Sequence, residues 1–154
     1  AHEQAAQDEK DRFAAETLAR EAEDKRRDRA LLLRYPNRAV HDQERSTALQ
    51  QIDEVIKAAS KRTTELAEQR KAVNSEFEFY AKDPSKAPAS LKRRRDENDA
   101  SVSVQQHFIA EQQQEKNRVN QRFDEELAKL RQLWAASSAV PAAAGSTTKN
   151  SAKN

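Results

Sequence analysis

Cysteine and methionine are both absent from the 154 residues, and glycine occurs once. Without cysteine there is no disulfide, no thiolate nucleophile and no thiolate-bound metal. One glycine and four prolines exclude a turn-rich β fold and a flexible linker array. Aromatic residues make up only 5% of the chain and hydrophobic residues 36%, with a mean hydropathy of −1.10, which is too polar for an ordinary globular core. The longest strongly apolar run, Ala30 to Leu33, is far too short to cross a bilayer. An excess of one charge is also lacking: 28 Lys and Arg are interspersed with 26 Asp and Glu, so nucleic acid is not the default partner.

What remains is 35% charged residues set among alanine and glutamine, the composition of long helices with one narrow apolar seam. Residues 2 to 33 carry almost no apolar periodicity. They do carry acid-then-base pairs at i,i+4: Asp8 with Arg12, Glu16 with Arg20, Glu21 with Lys25, and Glu23 with Arg27. Each pair contributes about 0.2–0.5 kcal/mol to an isolated helix, so a charged helical arm is expected over 1–36 without a core to rest on. Tyr35-Pro36-Asn37 ends it, because proline disfavours helix at the preceding residue and cannot donate a ladder hydrogen bond.

From Leu49 the 3,4 alternation of a heptad seam begins. Leu49, Ile56, Thr63, Arg70 and Phe77 occupy a positions, and Ile52, Ala59, Leu66, Val73 and Tyr80 occupy d positions. Downstream, Val102, Ile109, Val119, Phe123, Leu130 and Leu133 share one seam with Asn98, Gln105, Gln112, Lys116 and Glu126. The stretch AKDPSKAPAS, residues 81–90, turns one rod back on itself, so the fold class is all-α: a long antiparallel coiled-coil hairpin over 37–135 with its turn at 82–89. Matching apolar to apolar positions pairs Val73 with Val102, Leu66 with Ile109, Ile56 with Val119 and Ile52 with Phe123, residue numbers that sum to about 175. A slide to 168 opposes Val73 to Arg95 and Ile52 to Lys116, at roughly 1–3 kcal/mol for each unpaired polar group. The tail 136–154 contains the only glycine, no acid and no periodicity, and is expected to be disordered.

No catalytic, cofactor or metal motif is present. His2, His41 and His107 lack metal-ligand spacing and are expected to face water. The carboxylates lie on helix exteriors with no concave site to perturb them. Lys92, Arg93, Arg94 and Arg95 form the sharpest charge feature and are the candidate anion-binding residues, but acids on both sides favour ion pairing over phosphate contact. Leu31, Leu32, Leu33, Tyr35 and Val40 are expected to close the hairpin end against Leu130, Leu133 and Trp134. The apolar residues left outside the seams are Val55 and Phe108 at g, Phe79 and Val104 at c, and Leu127 and Trp134 at e. Of these, Val104, Phe108, Leu127, Trp134 and Phe79 are candidate partner-binding residues, with a second copy or a like-shaped helical protein as the partner.

The segments RDRALLLRYPN, ALQQIDEVI and FDEELAKLRQLW, in this order, resemble a set of uncharacterised proteobacterial coiled-coil proteins over about residues 25–135. The resemblance implies an exported, periplasmic or envelope-associated protein with no catalytic residue to carry over; a cytoplasmic location is the alternative. The chain opens on Ala1 rather than Met, which points to a removed signal or a trimmed segment before it. Together these readings anticipate a non-enzymatic spacer or adaptor without cofactor, and as the alternative an electrostatic binder of nucleic acid or an anionic surface through Lys92–Arg95.

Overall fold

A computed structural model describes the backbone of residues 1–144 and side-chain burial through residue 139. It contains three α-helices, α1 (His2–Arg34), α2 (Arg38–Glu78) and α3 (Ala89–Ala144), with a 3-10 turn at Pro84–Lys86 and no strand among the described residues. Two compact units divide it. The first holds residues 1–43 with those from 124 onward, and the second is Glu44–Phe123.

The second unit is the antiparallel hairpin. Every α2 seam residue from Leu49 to Tyr80 and every α3 seam residue from Asn98 to Phe123 is buried or half-buried, while almost all positions between them are exposed. Ala59, Leu66, Val73, Val119 and Phe123 are the buried apolar members. α2 unwinds at its end through i→i−3 bonds, with the Tyr80 N–H donating to the Phe77 carbonyl at 2.9 Å. Pro84 opens the 3-10 turn and Pro88 precedes α3, both places where no amide donor is needed. Ala87 and Leu91 then join Val73 in a buried cluster, with Phe77 and Tyr80 packed against it.

The register differs from the expected one by a heptad. Hydrogen bonds, ion pairs and ring contacts across the hairpin join Arg45 to Asn120 and Phe123, Asp53 to Lys116, Leu66 to Asn98, Arg70 to Asp99 and Arg95, Glu76 to Arg94, and Phe77 to Arg95, residue numbers summing to between 164 and 172. The pairings of Val73 with Val102, Leu66 with Ile109, Ile56 with Val119 and Ile52 with Phe123 are therefore not the native ones; α3 is displaced by about 10 Å along its axis. The turn is one cause. With α2 ending at Glu78 and α3 starting at Ala89, the two helices face each other about a centre at residues 83 and 84, which fixes the sum near 167. Leu91 is another, because this register brings it into the turn cluster.

Lys116 and Arg95, two of the polar residues that count against this register, are not left without partners, and other polar seam residues are engaged as well. Asn98, only 6% exposed, donates from Nδ2 to the Leu66 carbonyl at 2.9 Å. Arg70 pairs with Asp99, Lys116 reaches Asp53 at 2.8 Å, and the Arg95 guanidinium lies over the Phe77 ring at 4.7 Å. Long polar side chains carry their heads to partners at the hairpin's edge while their stems stay packed.

In the first unit, α1 is helical along its whole length and buries no residue. Local bonds sustain it: Gln4 to Asp8 and Gln7 to Asp11 at 3.0 Å, and Glu23 to Arg26 and Arg27 at 3.2 and 3.7 Å. Pro36 stops it, and the extended Tyr35 still returns its N–H to Leu31 at 2.9 Å. Asn37 caps α2, its Oδ1 accepting the Val40 N–H at 3.1 Å. Tyr35 and Leu130 are wholly buried, as expected for the closure of this end, but Leu33 is 85% exposed and Val40 faces water as well. α3 runs to Ala144, past the expected boundary at 135. The remainder of the expected tail, from 145, lies outside the described residues.

Candidate interaction surface

The two flanks of the hairpin in the second unit are unlike. At e positions the flank is polar and tied by ion pairs, Arg70 to Asp99 and Asp53 to Lys116. At g positions α2 presents Val55, Arg62, Gln69 and Glu76, and α3 presents Arg94, Ser101, Phe108 and Glu115. Near the turn this flank is closed by Arg94 and Glu76, 2.5 Å apart. Further along it opens into a hollow of about 350 Å³ lined by Leu66, Ala72 and Val73 together with the polar Arg62, Gln69, Arg94, Glu97, Asn98 and Ser101, followed by one of about 260 Å³ lined by Arg62, Ala100, Ser101, Val104 and Gln105.

Beside them stand the exposed apolar residues. Val104 is 63% exposed, Phe108 37% and Val55 42%. Val104 and Phe108 are i,i+4 neighbours on α3, and Val55 lies one heptad before Arg62 on α2. Three of the candidate partner-binding residues are thus available to solvent: Val104, Phe108, and Phe79, which is 88% exposed where α2 ends.

The other two are not outer anchors. Leu127 is buried, and Trp134 is half-buried with its indole N–H donated to the Tyr35 carbonyl at 2.9 Å. Both serve the packing of the first unit, since an e position lies outside a two-helix seam but inside a packing of three helices. The third helix is α1, whose Asp28 reaches Lys129 of α3 at 3.7 Å.

The basic run is divided. Arg94 is paired with Glu76, and Arg95 lies over Phe77 with its Nε 3.8 Å from Asp96. Lys92 and Arg93 are exposed. Two of the four candidate anion-binding residues are therefore engaged within the hairpin.

His41 departs most from expectation, being fully buried rather than solvated. Its Nε2 lies 2.9 Å from Glu126 Oε1, and its ring meets the Tyr35 ring edge-on at 4.8 Å. A carboxylate oxygen only accepts, so Nε2 carries the proton in this bond. Glu126, a polar seam member that needed a partner, was the available signal; the incorrect register hid it. His2 and His107 are exposed, as expected. Among the described residues no three His, Cys, Asp or Glu side chains converge as a metal-binding group, and no helix is long and apolar enough to cross a membrane.

The fold defines the class, an all-α protein built on an antiparallel helical hairpin. Compared with protein-family models, curated proteins and solved structures, the chain matches none.

Proposed function

We propose that this chain is a non-enzymatic interaction protein, a helical hairpin that presents one flank to a helical partner, either a second copy or a protein of like shape. The contrast between flanks carries this reading. One is tied by two charge pairs, while the other, beyond its single pair of Arg94 with Glu76 near the turn, exposes Val55, Val104 and Phe108, with Val104 lining one of two shallow hollows. A helix laid along the second flank would fill the hollows ridge into groove and cover the apolar residues, turning two helices into a bundle. Full burial of a valine or phenylalanine side chain contributes about 1.5–3 kcal/mol, and aromatic residues dominate such interfaces. Phe108 is the anchor in this arrangement, with Val104 and Val55 around it and Phe79 as an outlying contact.

The bacterial envelope is the setting proposed with it, on the resemblance of RDRALLLRYPN, ALQQIDEVI and FDEELAKLRQLW. Sedimentation at about 100 µM, a concentration well above the dissociation constants of specific complexes, tests the second-copy form. A mass above the monomer, returned to the monomer by Val104→Lys with Phe108→Lys, is expected. A monomer in both samples contradicts self-association and leaves a hetero-partner, whose capture should then be lost with the same pair of substitutions.

A further inference from the structure

The described residues of the first unit form an open surface cleft. Pro36 ends α1 and Asn37 starts α2, and between this turn and the α3 face from Trp134 to Ser138 lies a space of about 700 Å³. That falls within the range of small-ligand sites. Leu32, Pro36 and Trp134 provide its apolar wall. The Trp134 ring is held in place, because its N–H is committed to the carbonyl of buried Tyr35. Such a wall is built before any ligand arrives, and preorganisation lowers the cost of binding.

The polar lining has one sign. Among the described residues Arg38 is its one charged member, joined by Asn37, Ser137 and Ser138, with no carboxylate in the lining. Asp42 lies 3.6 Å from Arg38, but both side chains are more than half exposed, and such a pair holds the guanidinium only weakly. An apolar wall facing one exchangeable cation suits a ligand with an apolar body and an anionic end.

We propose that this cleft binds a small amphipathic carboxylate, its apolar body against Leu32, Pro36 and Trp134 and its carboxylate on Arg38. The site uses no residue of the flank in the second unit, so it stands or falls independently of the interaction reading.

Trp134 is the only tryptophan in the chain, so its emission reports on this wall alone. The full chain is titrated with octanoate, and separately with 1-octanol and with acetate, up to about 1 mM, the affinity range open to so small a ligand. Octanoate is expected to change the emission saturably, and 1-octanol and acetate are not. Arg38→Gln should weaken octanoate about tenfold or more, the effect of losing one charge-assisted hydrogen bond, while Arg38→Lys retains binding and Ser137→Phe, which fills the cleft, abolishes it. Far-UV circular dichroism checks that each variant is folded. Unchanged emission with octanoate, an equal response to 1-octanol, or octanoate binding that survives Arg38→Gln or Ser137→Phe would overturn the proposal.

Discussion

His41 Nε2 lies 2.9 Å from Glu126 Oε1, and the histidine side chain is shielded completely from water. The pair ties the start of α2 to α3 within the first unit, beside the Tyr35 ring. Glu126→Leu removes the acceptor and leaves a buried N–H without it, at a cost of about 1–3 kcal/mol. Glu126→Gln keeps a carbonyl acceptor and should cost clearly less. Urea unfolding of the three proteins measures the difference; equal stabilities would show that the bond contributes nothing.

Burial sets apart the apolar residues at the two extremes of exposure. Leu66 and Leu130 are almost wholly buried, whereas Phe79 and Val104 are mostly exposed. Leu66→Ala and Leu130→Ala are expected to destabilise by about 2–5 kcal/mol each. Phe79→Ala and Val104→Ala should stay within about 0.5 kcal/mol. Thermal or denaturant unfolding of the monomeric protein distinguishes them, and a large loss with Phe79→Ala would mean that the exposed residue packs in solution.

Along α1 residues 2–16 are all exposed, and an isolated helix held by local pairs frays readily. Amide exchange over residues 2–22 should approach the unprotected rate, while amides of the seam from Leu49 to Phe77 exchange only on wider unfolding. Protection of α1 equal to that of the seam would contradict a helix without tertiary support.

The helical class, the turn near the prolines and both heptad seams were legible in the sequence, because 3,4 spacing depends only on which residues are apolar. Register was not. Apolar matching counts Lys116 and Arg95 as penalties, yet each finds a partner through its own reach, Asp53 and the Phe77 ring. The same error hid His41, whose burial makes sense only once Glu126 stands beside it. Leu127 is expected outside because e positions lie outside a seam of two helices, yet it is buried, while Trp134, read both as closing this end and as an outer anchor, closes it through Tyr35. On the g flank, by contrast, Val104 and Phe108 were legible as left-over apolar residues, and they remain exposed.

Register sets which α2 residues stand across from Val104 and Phe108 on the flank where the interaction is proposed, so register is the quantity to measure. Ser60, Ala67 and Gln106 are exposed e residues, and the absence of native cysteine lets spin labels be placed at Ser60→Cys with Gln106→Cys, or at Ala67→Cys with Gln106→Cys. With residue numbers summing near 168, position 106 is level with about residue 62, and the label pair 60 and 106 is the closer. A sum of 175 makes it level with residue 69 and reverses the order, a relative displacement of about 10 Å. Dipolar broadening should therefore be stronger for the 60 and 106 pair than for the 67 and 106 pair; the opposite order would contradict the hairpin described above and the flank built upon it.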